Sequence, residues 1–138
     1  MIRFVTEGPK FQLTSRTEHG RAVWRVVEPI VLRFSLVPPA VIDTARYFVI
    51  PAGFETDGAS IPWWARWKFD PWGRVGLSAV LHDYLLSLPT MPKWEADLAF
   101  LAALRSQGAP AFMSTLFYFA VRLRRRPTVS ALSQRRNP

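Results

Sequence analysis

The feature that most constrains this chain is a change of periodicity at Gly58. Before it, short runs of β-branched and aromatic residues lie between turn signals. After it, apolar residues recur at helical spacing between prolines and glycines. "IRFV", "FQLTS" and "AVWRVVEPIVLRFSLV" read as strands, with Glu18 to Gly20 ("EHG") as a hairpin turn. Pro29 interrupts the longest run and removes a ladder donor, so it marks an edge strand, a bulge or a bend. Pro38-Pro39 breaks the pairing again, and "RYFVI" (46–50) is a further strand that stops at Pro51.

The second half reads as helices. Ser60 suits an N-cap and Pro62 a first turn, which gives a short helix over Pro62–Lys68 that Pro71 and Gly73 end. "RVGLSAVLHDYLLSL" (74–88) places Leu77, Leu81, Leu85 and Leu88 on one face. A second helix runs from Pro92 to Gly108, and a third from Pro110 until Pro127. Strands followed by helices define the α+β class: N-terminal antiparallel strands, a short helix, then three helices that include an antiparallel pair. The length of 138 residues suits one core, so residues 1–126 are expected to form a single domain, with 127–138 a basic tail.

Composition removes several functions. With no cysteine there are no disulfides, zinc–thiolate sites or thiol nucleophiles. The opening "MIRFVTEGPKF" carries Arg3, Glu7 and Lys10 and no apolar core run, so it does not read as a signal peptide. Synthesis in a reducing host cytoplasm is expected, which is compatible with later release by lysis or packing in a virus particle. The net charge of +8 is concentrated: residues 122–138 hold six arginines, among them Arg122, Arg124, Arg125 and Arg126, and no acid. The patch suits an acidic protein partner or an envelope surface, and nucleic acid less well. The 13-residue apolar run from Ala109 to Val121 is shorter than the ~20 residues of a membrane span. It reads first as a buried core helix, and second as a helix docking on a partner or lying on a membrane.

The chemistry gathers at His82-Asp83, a charged dipeptide inside an otherwise apolar helix. "LPTMP" (88–92) makes a tight connection to the next helix, and positions 82 and 97 are equally far from its centre. His82 and Asp97 should therefore meet at one height on facing helices, with Asp97 in a stripe with Trp94, Leu101 and Leu104. A buried carboxylate needs a donor and a buried imidazole needs orienting. An imidazole so held is a competent general base, able to take a proton from water or from a hydroxyl such as Ser60. Asp83 supplies a second carboxylate about 100° around the helix. The plainer assignments are a structural His–Asp hydrogen bond, Ser60 as helix cap, and Asp57 of "TDG" as a turn residue. Trp63, Trp64, Trp67 and Trp72 could wall a pocket or simply fill core or interface. A calcium ion held by Asp83, backbone carbonyls and Asp57 is conceivable; a transition-metal site is not expected with one useful histidine.

Two stretches carry a resemblance. "IPAGFETDGASIPWW" (50–64) and "AVLHDYLL" (79–86) resemble the signature of a family of small uncharacterised proteins from tailed phages and prophages. That signature is a Pro-x-Gly-Phe-x-Thr-Asp-Gly-Ala-Ser-Ile-Pro block, a His-Asp helix and a downstream Asp; it covers roughly residues 45–104. It implies a viral origin, with a tail, particle or lysis role and other phage structural proteins as partners. "HDYLL…EADLAF" is also similar to the helix pair of phospholipase A2-like proteins. By that resemblance His82 is the base, Asp83 a calcium ligand and Asp97 the residue orienting His82. The chain departs from that pattern at Leu86, where a Tyr is usual. It also lacks a glycine-rich loop before the helix, having only Gly73 and Gly76 nearby.

Overall fold

The structure, a computed structural model, describes residues 2–18, 20–34, 46–57 and 74–124. Several expectations therefore lie outside the described residues: the short helix over Pro62–Lys68, Ser60, the tryptophans at 63, 64, 67 and 72, Arg125, Arg126 and the tail.

Among the described residues six strands precede three helices: β1 (Ile2–Phe4), β2 (Phe11–Glu18), β3 (Arg21–Val26), β4 (Ile30–Phe34), β5 (Arg46–Ile50), β6 (Glu55–Thr56), α1 (Arg74–Ser87), α2 (Lys93–Ser106) and α3 (Ala111–Arg122). This is the expected α+β order. The strands form two antiparallel three-stranded sheets, ordered β1-β4-β5 and β2-β3-β6. Gly20, just before β3, takes the left-handed φ of 75°.

Pro29 has a specific task. The chain leaves the second sheet at Val26 and enters the first at Ile30, so the proline sits where no ladder donor is required. The return crossing uses "PAGF". β5 ends at Ile50 in the first sheet, and β6 begins at Glu55 in the second. Between them Gly53 adopts φ 90°, a conformation that a side chain would strain, and its N–H donates to the Val26 carbonyl at 2.8 Å. Phe54 follows, only 2% exposed, with its ring edge-on to Tyr84 of α1 at 5.3 Å. The corner thus locks both sheets to α1 and delivers Glu55, Thr56 and Asp57 into the interior.

The main core joins both sheets to α1 and α2, through Ile2, Val26, Ile30, Leu32, Ile50, Phe54, Val80, Leu81 and Ala96 among others. A second cluster, Ala79, Phe100, Leu104, Phe117 and Val121, joins the three helices. Burial of each such phenylalanine contributes about 2–3 kcal/mol. Leu77, Leu81 and Leu85 are buried as the spacing predicts, and Leu88 is partly covered.

Two expectations about helices need correction. α3 stops at Arg122 rather than reaching Pro127, with the Leu123 N–H closing onto the Phe119 carbonyl at 3.2 Å. Beyond the buried anchor Val121, residues 122–124 are exposed, and helical turns without an apolar contact are marginal in water. Nor is the 109–121 run a fully buried core helix. Only Ser114, Phe117 and Val121 are buried along α3, because the helix lies against α2 on one side.

Candidate functional site

Three helices and one strand converge on two consecutive residues of α1. His82 Nε2 lies 2.7 Å from Asp97 Oδ1 on α2, where the hairpin geometry expects it. Asp97 is wholly buried and His82 is 2% exposed. The imidazole also lies against the Phe100 ring, with centroids 5.0 Å apart and planes tilted by 37°. Asp83, one residue on, turns away from this contact. Its Oδ2 accepts a hydrogen bond of 2.5 Å from the Thr56 hydroxyl of β6, and both residues are buried. The dipeptide therefore binds two different neighbours, His82 to the helices and Asp83 to the sheet.

Asp97 holds more than the histidine. Lys93, one helical turn earlier, donates to Asp97 Oδ2 at 2.6 Å and to the Val121 carbonyl of α3 at 2.7 Å. Arg122 Nη1 stands 3.7 Å from the same Oδ2. One carboxylate thus links α1, α2 and the C-terminal end of α3, where a cation also suits the helix dipole. Burial pushes the Asp97 carboxyl up, but hydrogen bonds and charge from His82 and Lys93 outweigh that cost. Its pKa lies below the ordinary aspartate value.

The stripe expected for Asp97 holds at Asp97 and Leu104, both buried, and fails at its other two members. Trp94 is 52% exposed and Leu101 only partly covered, whereas the buried face is Ala96, Asp97, Phe100, Ala103 and Leu104. α2 packs on both α1 and α3, so its covered arc is broader than one stripe and centred closer to Ala96.

Asp57 is 7% exposed at the end of β6, more enclosed than an ordinary turn residue. Calcium takes six to eight oxygen ligands. Asp83 already accepts the Thr56 hydroxyl, and no three His, Asp or Glu side chains among the described residues are placed to share a metal ion. The described donors do not by themselves make a calcium site.

Sequence reasoning missed Lys93, Thr56 and the inward role of Arg122. Lys93 had a signal, its i,i+4 spacing from Asp97; Thr56 had none, because a two-residue strand shows no alternation. Ser78 was also missed. It lies one turn before His82, fully buried, and its hydroxyl has no hydrogen-bond partner among the described residues.

The fold and site define an α+β domain with a buried His–Asp pair at the junction of sheet and helices. A family model described as a protein of unknown function (DUF1353) matches residues 21–121, and the chain belongs to that family. The match is wider than the two motifs, running from β3 through α3. No curated protein and no solved structure matches the chain.

Proposed function

We propose that this is a phage-encoded protein with a hydrolase-like site at His82 and Asp97, acting on lipid or other cell-envelope material during infection or lysis. The observation that supports it most is the 2.7 Å contact between Nε2 and a wholly buried carboxylate oxygen. Nε2 donating to Asp97 makes Nδ1 the acceptor nitrogen, a tautomer inferred from the hydrogen bond. On this reading Nδ1 takes a proton from water. The resulting hydroxide adds to an acyl-ester carbonyl, and Nδ1 returns the proton to the alcohol as the C–O bond breaks. Asp97 stays ionised throughout and stabilises the transient imidazolium. Lys93 shares the Asp97 charge and so moderates that stabilisation. The viral origin rests on the resemblance of residues 50–64 and 79–86.

A second reading is favoured by burial. A histidine 2% exposed, beside a carboxylate that also holds Lys93, is what a structural clasp between helices requires. The protein would then be a non-catalytic tail or particle component that contacts other phage structural proteins.

One experiment separates the two. The full chain and its His82→Gln variant are assayed on phospholipid vesicles and on cell-wall glycan, with thermal unfolding recorded in parallel. Turnover that His82→Gln abolishes at an unchanged melting midpoint supports the site. No turnover, with a midpoint lowered by the substitution, supports the clasp.

A further inference from the structure

α3 has a second face that the fold does not use. Phe112, Leu116, Phe119 and Leu123 recur at intervals of four, three and four residues, and they are 75%, 38%, 57% and 87% exposed. At about 100° per residue all four fall within an arc of roughly 60°. Singly exposed apolar residues are ordinary on any protein; four in line on one helix are a continuous surface.

Charge indicates what covers it. Arg122, which reaches back toward Asp97 but stays exposed, leaves the helix axis about 90° to one side of the stripe, and Arg124, also exposed, follows just past the helix end. Residues 98–138 contain seven arginines and no acidic residue, so this stretch of the sequence carries positive charge alone. An apolar stripe with cations at its C-terminal end matches a surface with phosphates above an apolar layer. Nucleic acid offers the phosphates but no apolar layer for two phenylalanines and two leucines. Twelve residues of helix extend about 18 Å, against a hydrocarbon thickness of about 30 Å. Among the described residues no helix is long and apolar enough to cross a membrane. A helix of this kind lies on a bilayer without spanning it.

We infer that α3 docks on an anionic lipid surface. The Phe112, Leu116, Phe119 and Leu123 side chains enter the boundary between headgroups and acyl chains, while Arg124 remains at the level of the phosphates. Trp94, 52% exposed and adjacent to the lysine that bonds Val121, stands at the same end of the helix pair as Leu123. The inference is independent of the His82 chemistry, since the surface is bound whether or not anything is hydrolysed.

The test is co-sedimentation of the full chain with vesicles of phosphatidylcholine alone, or with phosphatidylglycerol added, at low and high salt. The anionic vesicles should bind at least tenfold more protein at low salt. The triple variant Phe112→Ser, Phe119→Ser, Leu123→Ser should reduce partitioning about tenfold or more while keeping its circular dichroism and melting midpoint. The single variant Arg124→Gln, which removes one positive charge, should reduce it about fivefold at low salt only. Binding by the triple variant equal to that of the wild type overturns the inference, as does a wild type that ignores anionic vesicles. A wild-type dimer that the triple variant dissolves assigns the stripe to a second copy of the chain, and overturns it too.

Discussion

Asp97 and Glu55 are both buried carboxylates held by cations, yet they differ in what those cations can do. Glu55, 1% exposed on β6, is gripped by Arg25 at 2.9 Å and by Arg16, whose side chains reach in from solvent at 41% and 49% exposure. Both guanidinium groups are charged at every working pH. Asp97 is held by Lys93, 20% exposed, and by an imidazole that is itself enclosed. The Glu55 cluster can only pin strands together. The Asp97 cluster pins helices but contains an imidazole, the group to which the proposed function assigns chemistry.

Substitutions should separate the two in a definite order. The largest effect is expected from Asp97→Asn, which leaves Lys93 and His82 without their acceptor charge and loosens three helices. It should cost about 2–4 kcal/mol in urea unfolding. A loss below 1 kcal/mol would erase the distinction from Glu55. Glu55→Gln should cost less, about 1–2 kcal/mol, because its arginines can turn back to water. Lys93→Met should cost about 1–2 kcal/mol, since His82 still holds one Asp97 oxygen. Smallest is the triple change on the α3 stripe, expected within about 0.5 kcal/mol in all, because those side chains touch little of the fold.

Acid should reveal the same asymmetry. The Asp97 carboxyl is depressed in the folded state, so its stabilisation is complete above the ordinary aspartate pKa and is lost as pH falls through the lower folded value. Melting midpoints of the wild type and Asp97→Asn should therefore converge only below about pH 4. Convergence already at pH 6 would assign the difference to another group.

How much of this was legible in the sequence follows from the range of each signal. The switch from strands to helices is local, and so is the role of Pro29. The meeting of His82 with Asp97 was legible because a tight hairpin converts distance from its centre into height. The Glu55 cluster was hidden, since it depends on β6 pairing with β3 some thirty residues away. The true buried face of α2 was hidden for another reason: a helix with neighbours on two sides covers an arc that a single stripe does not describe. Hydropathy alone could not decide whether the 109–121 run would be covered by the fold or left open for a partner or a membrane.

The account turns on whether His82 exchanges a proton inside the folded protein. Nitrogen-15 NMR of the imidazole across pH, for the wild type and Asp97→Asn, reads this directly. The account predicts reversible protonation at Nδ1 with Nε2–H kept toward Asp97 while the fold is intact, and a tautomer that is no longer fixed in Asp97→Asn. A ring that holds one protonation state until the protein unfolds would contradict it and leave His82 as a clasp alone.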